Sequence, residues 1–311
     1  MKLFDLHCDT IYESCVKKKD FFKNDLNIDL CRGLKRYSPW FQVFAVWMPD
    51  EYKGQAAKDH FKKCYDYFLS QVDKYRNLVT FIKDYNDISE SGNKCNAFLA
   101  VEGGNVLAGD IGQIDYLASC GVKLITLTWN GPNEIADGCL TKHSKGLTDF
   151  GKLAIKKMEQ KNIIIDVSHL ADTGFYDIVE IASRPFVATH SNSRTVCNNS
   201  RNLTDDQFKK IKSFHGLVGI NFHTKFINNN SVADFDDIEK HIYHFLSLGG
   251  ENVICLGSDF DGAHMPKCLN GIEYIESLAD YLCKKNYNID VINKLVFNNA
   301  FKFFTNYFHQ L

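Results

Sequence analysis

His7 and Asp9 stand two residues apart, at the end of an apolar-leaning run that starts at residue 2. Alternate side chains of a strand share a face, so this imidazole and carboxylate would project together. Such a pair can bind a borderline metal such as zinc. The plainer reading makes Asp9 the start of a turn and His7 a packed histidine. Residues of the same kind recur along the chain. Glu102 precedes Gly103-Gly104, Asp166 and His169 lie in Asp166-Val167-Ser168-His169, His190 follows Ala188-Thr189, and Asp259 and Asp261 lie in Gly257-Ser258-Asp259-Phe260-Asp261-Gly262. Each has a structural reading of its own: a turn start for Glu102, a helix cap for His169, a buried packing role for His190, turn formers for the two aspartates. Taken jointly, three imidazoles and two carboxylates are enough for two metal ions if one carboxylate bridges them. Two metals ~3.5–4 Å apart can hold and acidify one water for attack on a polarised carbonyl or phosphoryl centre. Asp259 would then act as general base and carry the proton to the leaving group.

Further candidates lie close by. Arg194 and Arg201 follow His190, and a guanidinium there can hold a substrate carboxylate in bidentate fashion. These residues alone do not choose between the two arginines, and either could be a surface residue. Asp5 shares the strand face of His7 and could orient a ligand. His223 and His264 flank strand ends and are candidates for a supporting role, whereas His60, His241 and His244 fall within helical stretches and read as surface or packing residues. Cys8, between two candidate ligands, should point the opposite way, into packing.

What positions these groups is an alternation of short apolar runs and amphipathic stretches. The runs are 2–7, 41–48, 97–101, 122–127, 163–167, 185–189, 217–221 and 253–256, most of them near-continuously apolar, as strands buried on both faces should be. Helical patterns fill 55–75, 110–120, 148–161, 172–183, 204–214, 236–248, 272–284 and 289–308, with Thr148 and Thr204 as N-caps. Eight strands alternating with helices predict a (β/α)8 barrel, an α/β fold whose active site lies at the C-terminal ends of the strands. Five of the strands, the first, third, fifth, sixth and eighth, deliver histidine or carboxylate groups to that rim. An open doubly wound sheet is the alternative, but no GxGxxG follows the first strand, which weakens a dinucleotide-binding version. No linker divides the chain, so a single domain over 1–311 is expected, with an irregular region holding a short helix at 13–40 and a closing helix at 289–308.

The 311 residues are 45% hydrophobic and 24% charged, with a formal net charge of -2. Mixed signs argue against a nucleic-acid surface or a polybasic membrane patch. The 11 cysteines are scattered without a CxxC pair and read as reduced thiols. There is no apolar run long enough to span a membrane, no signal-peptide core and no lipid-anchor tail, so the expected location is the cytoplasm.

Seven motifs together resemble the membrane dipeptidase family, the renal dipeptidase-like metallopeptidases of the amidohydrolase superfamily. They are Asp5-Leu6-His7-Cys8-Asp9, Val101-Glu102-Gly103-Gly104, Leu124-Ile125-Thr126-Leu127-Thr128, Gly146-Leu147-Thr148-Asp149-Phe150-Gly151, Asp166-Val167-Ser168-His169, His190-Ser191 with Ser200-Arg201-Asn202, and the stretch 257–262. The resemblance implies a (β/α)8 barrel with two zinc ions. His7, Asp9 and Glu102 would hold one, and Glu102, His169 and His190 the other, with Glu102 bridging. It also implies Asp259 as the catalytic aspartate, Arg201 as the residue that binds the dipeptide carboxylate, and a homodimer. The expected function is zinc-dependent hydrolysis of a dipeptide by a metal-bridging hydroxide. The alternatives are another amidohydrolase reaction, on an N-acyl amino acid, a cyclic amide or a phosphoester, and a catalytically silent binding barrel. The same N/O ligands also accept manganese or cobalt. In one place the chain departs from the family: after Leu127-Thr128, where the resemblance expects a substrate-binding histidine, it has Trp129, which offers one N–H and a large apolar face and cannot become a cation.

Overall fold

The computed structural model describes residues 1–230 and 232–309. Residues 310–311 of the expected domain therefore lie outside the described residues, as does Ser231. The most apolar segments of the chain form eight strands: β1 Leu3–Cys8, β2 Trp40–Trp47, β3 Val79–Phe81, β4 Cys95–Glu102, β5 Val122–Thr126, β6 Ile164–Asp166, β7 Val218–Ile220 and β8 Ile254–Leu256. They pair in parallel in the order β6-β5-β4-β2-β1-β8-β7, with β3 also on β4. Every residue of β1 and of β4 is buried, as strands covered on both faces must be. Single-residue parallel bridges, Asp166 with Val187 and Ala188 with Val218, connect β6 to β7 through residues 187–188. The fold is thus α/β on a parallel sheet.

Two strand expectations need correction. Residues 185–189 form those bridges and no extended ladder. The eighth strand of the sheet is instead β3, which pairs Val79 with Cys95 through Phe81 with Ala97. Two helices, Thr10–Lys17 and Leu30–Arg36, reach into the 13–40 region, for which the sequence predicts one short helix. The closing helix is interrupted: Ile289–Asn293 and Asn299–His309 flank a wide π-helical turn at Lys294–Asn298. That turn brings Asn299 to the sheet, where its Nδ2 donates to the carbonyls of Glu251 (2.9 Å) and Ile254 (2.8 Å).

Local chemistry explains the other helices. In Gln55–Lys74 the fully buried residues Ala57, Phe61, Cys64 and Phe68 recur at helical spacing. Thr148 accepts a hydrogen bond from the Gly151 amide, and Thr204 forms a reciprocal cap with Gln207; caps of this kind contribute about 1 kcal/mol each. At the N-terminal end of the strands, Phe4 packs against Phe41 (centroids 5.2 Å), Phe98 (5.8 Å) and Phe304 (4.8 Å), so the last helix covers that end with aromatic rings. The register at the opposite end aligns Trp47 with Glu102, Glu102 with Thr126, and Thr126 with Asp166. Neighbouring strands lie about 4.8 Å apart, so these four residues form one row across the strand ends.

Candidate metal centre

The strand ends bring His7, Asp9, Glu102, His169 and His190 into one buried cluster. Glu102 Oε1 lies 2.8 Å from His169 Nε2, 3.2 Å from His190 Nε2 and 3.7 Å from His7 Nε2. His7 Nε2 is 3.4 Å from Asp9 Oδ2, and the His7 and His190 rings lie 3.9 Å apart. Ligand atoms of His7, Glu102 and His190 fall within 4.8 Å of one another, as do those of His7, Asp9 and Asp259. Cys8, between His7 and Asp9, is fully buried in the hydrophobic core.

The hydrogen bonds around the imidazoles fix which nitrogen carries the proton. Asp166 Oδ2 accepts from the hydroxyls of Thr126 and Thr189, both at 2.6 Å. With its proton given to Asp166, Thr189 Oγ1 can only accept, and it lies 2.7 Å from His190 Nδ1. Asn130 Oδ1, also an acceptor, lies 3.0 Å from His169 Nδ1. Both imidazoles are thus protonated on Nδ1 and turn bare Nε2 lone pairs towards each other, 3.0 Å apart, and towards the Glu102 carboxylate. Lone pairs meeting at that distance repel unless a cation lies between them. His7 Nε2 and Asp9 Oδ1 are buried without a hydrogen-bond partner. This donor set of imidazole nitrogens and carboxylate oxygens, with His169 and His190 each oriented through Nδ1, suits zinc-like cations.

Burial and neighbouring charge set the protonation of the cluster. Burial pulls His7 down, but Glu102 and Asp9 outweigh it and hold the imidazole at about 10. Burial holds His169 and His190 far below the ordinary histidine value, helped by the charges of Arg201 and His7 respectively. Burial and then the Glu102 charge push Asp9 up to about 7. Burial opposes ionisation of Glu102, yet His7 and His190 keep its carboxyl below the usual range.

Asp259 comes from the turn after β8. Its amide donates to the His7 carbonyl (3.1 Å), and its Oδ2 accepts from Asn221 Nδ2 (2.9 Å). Burial raises its pKa to about 6, more than the His7 charge lowers it. Asp259 has φ 63° and His169 φ 66°, conformations that cost a non-glycine residue about 1–3 kcal/mol and cluster at functional sites. Asp5 holds this turn: its carboxylate accepts from the Ser258 amide (2.8 Å) and hydroxyl (2.6 Å), and from Gln42 Nε2 (2.8 Å). A side chain at Gly262 would put Cβ 1.9 Å from Asp9 Oδ2, so only glycine lets these two loops meet.

The two arginines now separate. Arg194 is tied bidentately to Asp172 at 2.7 and 2.8 Å, whereas Arg201 is 5% exposed and its Nε has no partner. Asp261 leaves the candidate cluster: its carboxylate accepts from the Asn27 amide and the Thr10 hydroxyl, both at 2.6 Å, and ties the β8 turn to the first loop. His264 is exposed and does not reach the centre. His223 lines the cavity above it.

That cavity, of about 360 Å³, is lined by Asp9, Glu102, Trp129, His169 and Asp259, among others. A larger one, of about 630 Å³, borders Leu217 and Val253 just before β7 and β8, at the opposite end of the strands, and contains none of the converging residues. The sequence reading passed over Tyr12 and Trp47 in the cavity wall, because neither is a usual metal ligand or a group that titrates near neutral pH. It also passed over Thr189 and Asn130; the position of Thr189 directly before His190 was the available signal.

A family model for membrane dipeptidases, peptidase family M19, matches residues 1–308. The chain belongs to this family. A protein of Klebsiella pneumoniae, described as uncharacterized and encoded in the pqqA 5' region, is 32% identical over 220 residues, 68% of this chain and 81% of the relative. An uncharacterized dipeptidase of Schizosaccharomyces pombe is 29% identical over 70% of this chain, and the match spans only 55% of that relative's length. Among solved structures, a Rhodobacter sphaeroides metallopeptidase bound to a phosphinate mimic of L-Ala-D-Ala superposes with a TM-score of 0.92 at 21% identity, covering 99% of both chains. A dipeptidase of the same family superposes equally well at 22% identity. At these identities the structural likeness speaks for the fold.

Proposed function

We propose that this chain is a zinc-dependent dipeptidase, built as one closed (β/α)8 barrel domain with its reaction centre at the C-terminal ends of the strands. The bridges through residues 187–188 support closure, since they supply a link between β6 and β7. The observation that carries the functional reading is the pair of bare Nε2 atoms, 3.0 Å apart, of His169 and His190 at the Glu102 carboxylate. His7, Asp9 and Glu102 would hold one zinc, and Glu102, His169 and His190 a second, with Glu102 shared. When bound, the metal pair supplies Lewis acidity towards the scissile carbonyl and lowers the pKa of the attacking water.

The chain's own groups do the rest. Arg201, with a free Nε facing no protein acceptor, binds the carboxylate of the C-terminal residue. Asp259 accepts the proton of the attacking water and delivers it to the leaving amine; Asn221 holds the carboxylate in place through Oδ2. Trp129 lines the cavity as a substrate contact. The eleven free thiols, most of them buried, favour a reducing compartment, and we assign the protein to the cytoplasm. No helix among the described residues is long and apolar enough to cross a membrane.

A hydrolysis panel tests this. Zinc-loaded protein should cleave dipeptides and leave N-acyl amino acids and cyclic amides intact, and Asp259→Asn should lose 10²–10⁴-fold in kcat, roughly the contribution of general acid–base catalysis. Cleavage of N-acyl amino acids with no action on dipeptides would replace the reading with another amidohydrolase reaction.

A further inference from the structure

The cavity has two unlike sides. Phe226 lines one, and the Arg201 guanidinium carbon lies 5.1 Å from its ring centroid. Arg201 Nη2 donates to the His190 carbonyl (3.4 Å), so the arginine lies against the 187–190 segment. Counted around the sheet, that segment is four positions from β2 in either direction, through β6, β5 and β4 or through β7, β8 and β1. The end of β2 is therefore opposite the arginine, and Trp47 occupies it.

Trp47 is the centre of an aromatic wall. Its ring meets Trp129 edge-on at 5.0 Å and 73°, and Tyr12 at 4.7 Å and 89°. All three line the cavity. Rings set at right angles to one another form a corner rather than a flat stack, and a corner offers a flat guest both a face and an edge. The wall is fixed from behind, where His60 Nε2 lies 3.0 Å from the Trp47 carbonyl. It also adjoins the reacting groups, because Trp47 is the register partner of Glu102.

We propose that Tyr12, Trp47 and Trp129 form the specificity pocket for the side chain on the amino side of the scissile bond, and that the pocket selects large, flat apolar side chains. The inference rests on the dipeptidase reading. With the substrate carboxylate on Arg201 and the scissile carbonyl at the Glu102 centre, the N-terminal residue runs away from the arginine, towards β2. There it meets indole and phenol faces, whose burial against an apolar guest is favourable. Trp129 thus serves as part of a binding wall, at the position where the family resemblance expects a histidine.

The test is kcat/KM on zinc-loaded protein for the series Gly-Ala, Leu-Ala, Phe-Ala and Lys-Ala, with Ala-Gly and Ala-Phe as the reverse pair. Phe-Ala should exceed Gly-Ala by at least about tenfold, the scale on which apolar pockets discriminate. Trp47→Ala should collapse that ratio towards one without altering the Ala-Phe to Ala-Gly ratio, and Trp47→Phe should keep most of it. Trp129→Ala gives an independent second variant, in the loop after β5. A flat Xaa-Ala series, a preference for Lys-Ala, or a Trp47→Ala effect confined to the reverse pair would each overturn the inference and leave the dipeptidase reading standing. No cleavage of any member would remove that reading, and the inference with it.

Discussion

Thr189 and Asp166 decide how His190 meets its partners. The Asp166 carboxylate takes the Thr189 proton, and the hydroxyl oxygen that remains can only accept from His190 Nδ1. The Nε2 lone pair is thereby aimed at Glu102. Thr189→Val keeps the shape and removes the acceptor, so the imidazole should lose its fixed tautomer. Zinc affinity should fall by about 10–100-fold, the usual effect of removing an orienting partner, as read by titration against a competing chelator. An unchanged affinity would mean that packing alone orients the ring. The histidines and carboxylates of the buried cluster were legible from the sequence because each is a titratable residue at or near the end of an apolar run. Their supports were not, because threonines and asparagines carry no distinctive spacing. Arg194 and Arg201 looked equivalent for a similar reason: the Asp172 that pairs with Arg194 is 22 residues away in the chain.

At the scale of elements, the helix Phe235–Ser247 secures the segment that carries His190. His241 is fully buried in it, accepts from the Ser193 amide at Nδ1 (3.1 Å), and places Nε2 2.7 Å from the Ile227 carbonyl. Burial lowers its pKa from 6.5 to about 4. Between those values the unfolded chain binds more protons than the folded one, so stability rises with pH through this window and is lost as pH falls from 6.5 towards 4. The full loss is about 3 kcal/mol. Melting temperatures from pH 7 to 4.5 should therefore fall less steeply in His241→Gln than in the unmodified protein; parallel curves would assign the acid sensitivity elsewhere. The long elements were readable from their periodicity, with Gln55–Lys74 recovered to within a residue at its C-terminal end. The misreadings were of short or irregular pieces. β3 has three residues, too few to show a period, and residues 185–189 are apolar like a strand but pair only through isolated bridges. The positive φ values of His169 and Asp259 leave no mark in residue type beyond the tolerance of histidine and aspartate for that region.

At the scale of the whole molecule, the sheet acts as a scaffold that converts chain-distant residues into neighbours. Glu102 and His190 are 88 positions apart in the chain, yet their ligand atoms lie 3.2 Å apart. Tight backbone contacts make this possible: a Cβ on Gly219 or Gly257 would come within 1.8 or 1.7 Å of the Thr189 carbonyl oxygen, so two glycines let the 187–190 segment settle against β7 and β8. One end of the strands is sealed by phenylalanines, and the other opens into the cavity over the histidines and carboxylates. The most direct test of that division is to strip the protein with a chelator, add zinc in steps, and follow both bound metal and dipeptide hydrolysis. Binding should saturate at about two equivalents per chain, with hydrolysis appearing as the sites fill, and His190→Ala should reach only about one. Full hydrolysis by the metal-free protein, or saturation with no hydrolysis of any dipeptide, would contradict a two-metal dipeptidase.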